Sequence, residues 1–400
     1  MNTDLNHYLY KLPEVKIAKF PLTQRDESKL LVYRKGIISN SIFKNITDSL
    51  DPDSLLVFNN TRVIQARMIF HRKSGAKIEI FCLEPHLLNG DLAHPFNQLG
   101  KSQWKCLVGN KDKWRKNKEI LKLRKRIDGK EITFQAEFLG DYGKDTLVEF
   151  TWNNEMTFRE ILENFGQVPI PPYLNRQDVP SDKQNYQTIY AEINGAVAAP
   201  TAGFHFTDKV FGKMEEKGID KDFVTLHVSA GTFLPIKETN FLLHSMHHEQ
   251  IIFSRENVEK LLLTNRKIIA TGTTSLRALE SLYWFGIKLM QGKKNFDIEK
   301  LFPYETETVL PDRKIVLNYI MEYMIQSDLQ MLTGSTSLFI FPGYNFRMTD
   351  GLITNYHQPG SSLLLLVAAF VGEDWKKIYQ FALNNDYRFL SYGDSSLLLP

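Results

Sequence analysis

The sequence predicts an α/β protein: a mixed-sheet α/β domain with an inserted small antiparallel β-barrel domain. Three observations predict it. Between residues 76 and 152, five short segments alternate apolar and polar side chains. From about Thr157 onward, short apolar strands alternate with helical stretches, the pattern of an α/β layer. Ahead of both, LLVFNNTRV (55–63) reads as a strand, so the barrel interrupts a domain already begun. The expected division is residues 1–63 for the first part of the α/β domain, 64–156 for the barrel, and 157–400 for the second part, which holds the candidate site.

The five barrel segments are AKIEIFCLEP (76–85), WKCLV (104–108), EILKLRK (119–125), KEITFQAEFLG (130–140) and TLVEFTW (146–152), with turn signals at Gly109-Asn110, Asp128-Gly129 and Gly140-Asp141. FREILENFG then changes the period to helical. Downstream, FVTLHVSA, KIIATG and SLFIF read as strands, and FTDKVFGKMEEKG, SRENVEKLLLTN and TSLRALESLYWFG as helices. No internal repeat or low-complexity tract interrupts this order.

Composition supports a packed core: 43% of the 400 residues are hydrophobic and 24% charged. The net charge of +3 excludes a uniformly basic nucleic-acid coat. It is unevenly spread, because residues 101–130 hold twelve Lys/Arg against three Asp/Glu, a local +9, leaving −6 for the rest. That block is a candidate phosphate-binding surface through Lys113, Arg115, Lys116 and Lys118, with Trp104 and Trp114 as interleaved stacking groups. The competing reading is a solvated hairpin face. Cys82 and Cys106 are too few for a disulfide framework and are expected to be buried thiols. The polar N-terminus lacks a secretory h-region, and the longest apolar run, 363–371, is too short to span a membrane, so a cytoplasmic protein without a membrane partner is expected.

Five segments place polar residues where neither packing nor solvation requires them. YQTIYAEINGAVAAPTAGFHFT (186–207) centres on small residues that let backbone approach a ligand, includes Thr201 and Gly203, and ends in His205 before a helix that Thr207 can cap. FVTLHVSAGTFLPI (223–236) places His227 inside an apolar strand, with Gly231 and Thr232 where that strand should stop; ligands of open α/β sheets bind beyond such carboxyl ends. KIIATGTTSLRALES (267–281) joins a strand to a helix through Thr273, Thr274 and Ser275, with Arg277 one turn on, a setting suited to a carboxylate. FIFPGYNFRMTDGLITNYHQPG (339–360) gathers Arg347, Asp350, Asn355 and His357 ahead of a helix that Ser361 or Ser362 can cap, and DYRFLSYGDSSLL (386–398) adds Arg388, Tyr392 and Asp394. Each alone is matched by a loop or core explanation, but five in one domain point to a site. HSMHHE (244–249) lacks HExxH spacing, so metal binding is the minority reading and no metal is assigned.

Taken together, these strings resemble the S-adenosylmethionine:tRNA ribosyltransferase-isomerase family of queuosine biosynthesis. The resemblance runs from YKLPEVKIAKFPLTQRDESKLLV (10–32) through VFNNTRVIQARM, VPIPPYL, the Gly- and Thr-rich segments above and MHHE to YRFLSYGDSSLL, nearly the whole chain. It implies the same two-domain fold. It also implies transfer and isomerisation of the ribosyl part of S-adenosylmethionine onto 7-aminomethyl-7-deazaguanine at the wobble position of tRNA, with release of adenine and methionine. The donor is a consumed substrate, so no separate cofactor is implied, and the chain is expected to act as a monomer.

Proton removal beside the sulfonium carbon needs a base, for which His205, His227 and His357 are candidates, with Asp394 and Glu249 as carboxylate alternatives. Asp350 or Asp394 would assist adenine departure. Thr273, Thr274, Ser275 and Arg277 suit the methionine carboxylate, and Arg62, Arg347 and the insert's lysines suit tRNA phosphates. The sequence departs from the usual family strings at Asn60 (commonly Asp), Ser229 (Gly), His248 (Ser), Tyr356 (Phe), Gly360 (Lys) and Ser395-Ser396 (Ala-Met). A diverged paralogue with another RNA or nucleobase substrate, an RNA-binding protein without turnover and, more remotely, a metal-assisted hydrolase are the competing readings.

Overall fold

The computed structural model describes residues 3–86, 96–116, 119–143, 145–228, 235–306 and 309–400. The chain begins a large sheet with β1 (Lys29–Arg34), β2 (Ile37–Ile42) and β3 (Ser54–Asn59), and leaves it through the short β4 (Thr61–Val63). A six-stranded antiparallel sheet follows: β5 (Arg67–His71), β6 (Lys77–Pro85), β7 (Lys101–Gly109), β8 (Leu121–Ile127), β9 (Lys130–Tyr142) and β10 (Asp145–Trp152), ordered β5-β6-β7-β10-β9-β8. Its edges β5 and β8 touch, so the sheet curls into a nearly closed barrel. The chain returns by β11 (Ile193–Ala196), parallel to β4, and completes the large sheet with β12 (Asp220–Leu226), β13 (Glu249–Ser254), β14 (Lys267–Thr271), β15 (Asp297–Ile298), β16 (Met331–Thr336), β17 (Gly351–Asn355) and β18 (Ser395–Leu399). The order across that sheet is β15-β16-β13-β12-β3-β14-β17-β18-β1-β2. A mixed-sheet α/β domain with an inserted barrel is therefore the observed fold.

The four central strands, β12, β3, β14 and β17, run parallel and are covered on both faces. In β3 every residue is buried: Leu55 and Val57 enter one core layer, while Leu56 and Phe58 enter the other with Phe206, Val210 and Met214. A strand buried on both sides reads as a continuous apolar run, which LLVF is. The barrel core is separate and includes Met68, Ile80, Trp104, Trp114, Phe134 and Phe150. Trp104 is 1% and Trp114 0% exposed, so both fill this core and neither is a stacking group for nucleic acid. Both cysteines are buried free thiols facing each other in register across β6 and β7.

Some elements differ from the sequence expectation. The barrel has a sixth strand, β5. Gly140 and Asp141 lie inside β9, and the turn follows at Gly143 (φ +61°). Asn110 (φ +59°) leads into a one-turn helix, α1 (Lys111–Arg115), where a hairpin turn is expected. SLFIF (337–341) is buried but not a strand, because β16 lies just before it and its backbone instead bonds to Ile298 and Lys300. Asp128 and Gly129, both with positive φ, make the expected two-residue hairpin between β8 and β9.

The remaining α-helices of eight residues or more among the described residues are α2 (Phe158–Phe165), α3 (Asp208–Glu216), α4 (Arg255–Leu263), α5 (Thr273–Met290), α6 (Arg313–Gln326), α7 (Ser362–Val371) and α8 (Asp374–Asn384). Thr207 caps α3 through Val210 N, and Ser361 caps α7 through Leu364 N. α5 is buried along its length except at Met290, its polar Arg277, Glu280, Ser281 and Lys288 included. It packs on α6 so closely that a Cβ on Gly286 would lie 2.3 Å from Val316 Cγ1. Its buried Glu280 accepts from Tyr344 O–H (2.9 Å) and from the N–H groups of Arg347 (2.9 Å), Met348 (3.0 Å) and Thr349 (3.1 Å), fixing the loop that leads into β17. Burial pushes this carboxyl's pKa up. Glu280→Ala strands four buried donors and is expected to cost about 3 kcal/mol or more, with Glu280→Gln costing less. Urea denaturation measures this, and an unchanged midpoint in the alanine variant would show that the loop is anchored elsewhere.

Candidate active site

Four parallel strands end side by side, and at their carboxyl ends residues from all five polar segments come together. β14 ends at Thr271, and Gly272 (φ +91°) turns the chain sharply into α5, a conformation that favours glycine. Gly272 N–H bonds to Ile353 O of β17 (2.8 Å), and Ser275 Oγ donates back to Thr271 O (2.8 Å). The α5 N-terminus with Thr273 and Thr274 thus faces Thr354, Asn355, Tyr356 and His357 at the end of β17, and the Ala198–Ala202 stretch closes the space between them. They enclose a small cavity of about 70 Å³. Its wall is mostly small or apolar, as the GAVAAPTAG string suggests, with Thr273, Thr274, Thr201, Asn355 and His357 supplying polar groups.

Two of those polar groups belong to one relay. Thr201 Oγ1 donates to Asn355 Oδ1 (2.8 Å), and Asn355 Nδ2 reaches His205 Nε2 (3.2 Å). His205 Nδ1 lies 2.7 Å from Ser28 Oγ and 3.4 Å from Arg25 O. With Asn355 donating to Nε2, the His205 proton sits on Nδ1 and both nitrogens are engaged. Burial lowers the His205 pKa to about 4, so the ring is neutral. His205 thus stands behind the cavity wall, joined to the lining residue Asn355, with both ring nitrogens bonded within the protein. His357 does line the cavity; its Nε2 pairs with Thr354 Oγ1 (2.9 Å), and burial lowers its pKa to about 3.

His227 stands one residue beyond β12, where sequence periodicity places it inside the strand. Its imidazole faces a second, more open cleft of about 840 Å³ between the two sheets, lined by Lys105 and Asp145 of the barrel and by Gly195, Glu249 and Phe296 among others. Val228 lines both spaces, so cavity and cleft adjoin across the end of β12. Nδ1 of His227 pairs with Thr61 Oγ1 (3.2 Å), and Nε2 has no partner among the described residues. Gly195 packs against the ring, where any Cβ would come within 2.6 Å of Cε1 and Nδ1. Burial lowers this pKa to about 4 as well, so His227 is neutral near pH 7.

The other candidates are placed differently. Glu249 and Arg277, both nearly fully buried, lie 2.8 Å apart as an ion pair, so the guanidinium expected to hold a substrate carboxylate is matched by a protein carboxylate. Asp350 Oδ2 accepts from Ile268 N–H (2.9 Å) and pairs with Arg313 (2.9 Å), and Arg347 precedes it; both sit at the amino ends of the strands, away from the cavity. Asp394 accepts from Lys29 N–H (3.0 Å) and Arg388 N–H (2.7 Å), with the Arg388 side chain 3.8 Å away, and burial raises its pKa. Tyr392 O–H donates to Asp182, which also holds Arg176 in a bidentate pair. These contacts tie the chain ends together, and none of the three residues Arg388, Tyr392 and Asp394 lines the cavity. Gly203 packs under Tyr190, and Arg62 is exposed on β4. Ser229, Gly231, Thr232 and Lys118 lie outside the described residues. His244 pairs with Glu238 (3.6 Å) and His248 with Asp297 (3.5 Å); no group of three metal-ligating side chains occurs among the described residues. Tyr173 and Ser391, bonded to each other, also line the cavity, and Ser28 and Thr61 hold the two imidazoles. Sequence reading missed all four as site residues, since only contacts across the fold give them a role.

A cavity at strand carboxyl ends, with a helix N-terminus on one side and a neutral imidazole beside an open cleft on the other, is the place where α/β enzymes bind their ligands. The chain belongs to the queuosine biosynthesis protein family, whose pattern matches residues 5–398. Two relatives named S-adenosylmethionine:tRNA ribosyltransferase-isomerase are each 36% identical. The one from Magnetococcus marinus aligns over 100% of this chain and 94% of its own length, and the one from Halothermothrix orenii over 98% of each. A crystal structure of an S-adenosylmethionine tRNA ribosyltransferase from Thermotoga maritima is 27% identical, covering 98% of this chain and 99% of that one with a TM-score of 0.46.

Because His205 and His227 fold with pKa values near 4 against an ordinary 6.5, the unfolded chain binds more protons between those values. Their stabilising contribution is complete above about pH 6.5 and is lost as pH falls toward 4, by up to about 1.4 kcal/mol per pH unit for each ring. Urea midpoints at pH 7 and pH 5 measure this, and His205→Asn is expected to remove one ring's share of the dependence, leaving those of His227 and of His357, which burial lowers in the same way. A pH effect of equal size in that variant would mean that its ring is not the titrating group.

Proposed function

We propose that the chain is a tRNA-modifying transferase that transfers and isomerises the ribosyl moiety of S-adenosylmethionine onto 7-aminomethyl-7-deazaguanine at the tRNA wobble position, giving epoxyqueuosine-tRNA with release of adenine and methionine. Family membership supports the reaction. The observation that best supports its location is the free Nε2 of neutral His227 in the cleft that adjoins the cavity.

S-adenosylmethionine enters as a consumed substrate. Its carboxylate sits at the α5 N-terminus, where helix N–H groups and the Thr274 hydroxyl meet it; that hydroxyl is buried with no partner among the described residues. The positive sulfur acidifies the adjacent ribosyl carbon, and His227 Nε2 accepts the proton lost there, while Thr61 holds the other nitrogen. Adenine leaves with its bonding pair and takes up the proton held by His227, methionine leaves as the neutral thioether with the sulfur–ribosyl bonding pair, and the amine of the deazaguanine, presented through the open cleft, bonds to the ribosyl fragment and gives up its proton to solvent. His357 and the Thr201–Asn355–His205 relay shape the donor side. The domain division follows the separate cores, with the barrel between the two parts of the α/β domain, and the chain acts as a monomer in the cytoplasm with its tRNA. No helix among the described residues is long and apolar enough to cross a membrane.

His227→Asn is expected to lower adenine release from S-adenosylmethionine by about 100-fold or more in the presence of tRNA carrying the deazaguanine, with tRNA binding intact. Thr274→Val is expected to raise KM for S-adenosylmethionine about tenfold while changing kcat little. Full turnover by the asparagine variant would remove His227 as the base. No adenine release by the wild type with that tRNA, under conditions where a relative works, would reject the reaction.

A further inference from the structure

The basic block of the insert divides into matched and unmatched charge. Lys101, Lys105 and Lys111 are each 2.7–2.8 Å from a carboxylate (Glu149, Glu84 and Asp141), and Arg115 pairs with Asp112 and Asp141. On β8 the exposed Lys122, Arg124 and Arg126 have no acidic partner among the described residues. They occupy alternate positions, so their side chains share one face about 7 Å apart. From the opposite face of the strand, Lys125 Nζ bonds to Asn164 O of α2 (2.8 Å), which places β8 beside the rim of a third open space that Asn164 lines.

That space is a cleft of about 860 Å³ whose wall carries Arg25, Arg62, Arg159 and Lys183 against one carboxylate, Glu163. Arg25 donates only to main-chain carbonyls, which leaves its charge unneutralised. Arg159 Nε is buried with no partner among the described residues, and Arg62 is exposed on β4. Across the β4–β11 ribbon, Arg62 pairs in register with Asn194, which also lines this cleft. The next residues along the same two strands, Thr61 and Gly195, hold the His227 ring. One thin ribbon thus has the cationic cleft on one side and the candidate base on the other.

We propose that the phosphodiester backbone of the tRNA substrate follows β8 into this cleft, bound by Lys122, Arg124 and Arg126 and then by Arg62, Arg159 and Lys183, rather than across the α1 surface. The inference rests on the tRNA reading above and deepens it. Unpaired cations in a row are what a polyanion neutralises with release of counterions; Lys113 and Lys116 are exposed and also without an ion-pair partner among the described residues, but neither lines the cleft, and Arg115 beside them is already matched. The path leads the RNA past the ribbon that carries Thr61 and Gly195, which places an unstacked base within reach of the His227 cleft.

The test uses the full chain, a labelled tRNA transcript as probe and KCl from about 50 to 300 mM. Lys122→Glu/Arg124→Glu and Arg62→Glu/Lys183→Glu are each expected to weaken binding at least tenfold near 100 mM KCl and to reduce the slope of log Kd against log salt by about one to two. Lys113→Glu/Lys116→Glu is expected to stay within about twofold of wild type. Unchanged melting temperatures and S-adenosylmethionine binding control for folding. Loss confined to the α1 pair, equal loss in all three, or wild-type binding by the β8 and cleft variants would overturn the path while leaving the tRNA reading in place. A wild type that does not bind the transcript at all overturns both.

Discussion

The carboxamide of Asn59 is where the two sheets part, and the rest of the architecture follows from it. Its Nδ2 donates to Leu226 O (2.9 Å), and its Oδ1 accepts from Leu226 N–H (3.1 Å) and Thr61 N–H (3.2 Å). A fully buried side chain thereby completes the β3–β12 ladder in place of backbone. The backbone of the next residues is released from the large sheet and pairs with β11. Thr61 then reaches His227, Arg62 turns outward, and the chain enters the barrel. An apolar residue at position 59 would leave both polar groups of Leu226 unpaired in the core, and the strand would have no reason to end there.

Polar chemistry in this site depends on keeping imidazoles neutral. His205, His227 and His357 all lose their protons to burial, yet they differ in what remains open. His205 is bonded at both nitrogens, whereas His227 and His357 are each bonded at one. Thr61 Oγ1 also donates to Ile193 O (3.5 Å), and in the tautomer in which His227 Nδ1–H then donates to Thr61, the open Nε2 is the accepting position that a base requires. A depressed pKa also means weaker basicity, so His227 needs a carbon acid of unusual strength, and a carbon beside a sulfonium provides one.

The alternation of the barrel and the strand-to-helix periodicity of the α/β layer were legible because each follows the side-chain period of its element. β5 escaped because only Ile64, Gln65 and Ala66 separate RMIFH from NNTRV, and nothing local marks where Asn59 ends one strand and Arg67 starts another. SLFIF was read as a strand because composition cannot distinguish a buried strand from buried irregular chain. The Trp residues were legible but misassigned: Trp104 lies two residues from Ser102 and from Cys106, and all three face inward on β7. The Thr- and Gly-rich strand ends were legible as a site because they are local. The partners that decide each residue's role were not, since Ser28 with His205, Thr61 with His227 and Arg277 with Glu249 are joined only by the fold.

The same distinction explains the departures from the family strings. Asn60 accepts from Thr225 O–H (2.8 Å) and directs its NH₂ toward Glu192 (3.4 Å), so a carboxylate at this position would face another carboxylate. Gly360 has φ +63°, with Leu9 only 3.0 Å from where a Cβ would stand, so a lysine here would need a different backbone. Ser396 Oγ donates to Thr354 O (3.0 Å) inside the sheet. None of these three residues lines the cavity; Tyr356 does line it, but its ring packs against Tyr379, Tyr387 and Phe389. Asn60 and Ser396 are thus satisfied within the scaffold, whereas the Tyr356 hydroxyl and Ser395 Oγ are buried without a partner among the described residues and His248 lines the cleft; Thr273, Thr274, Asn355 and His357 keep the polar surface of the donor cavity. A change of substrate would have to act through those lining groups or through the cleft, because exchanging a scaffold hydrogen bond for another leaves the groups presented to the donor where they were.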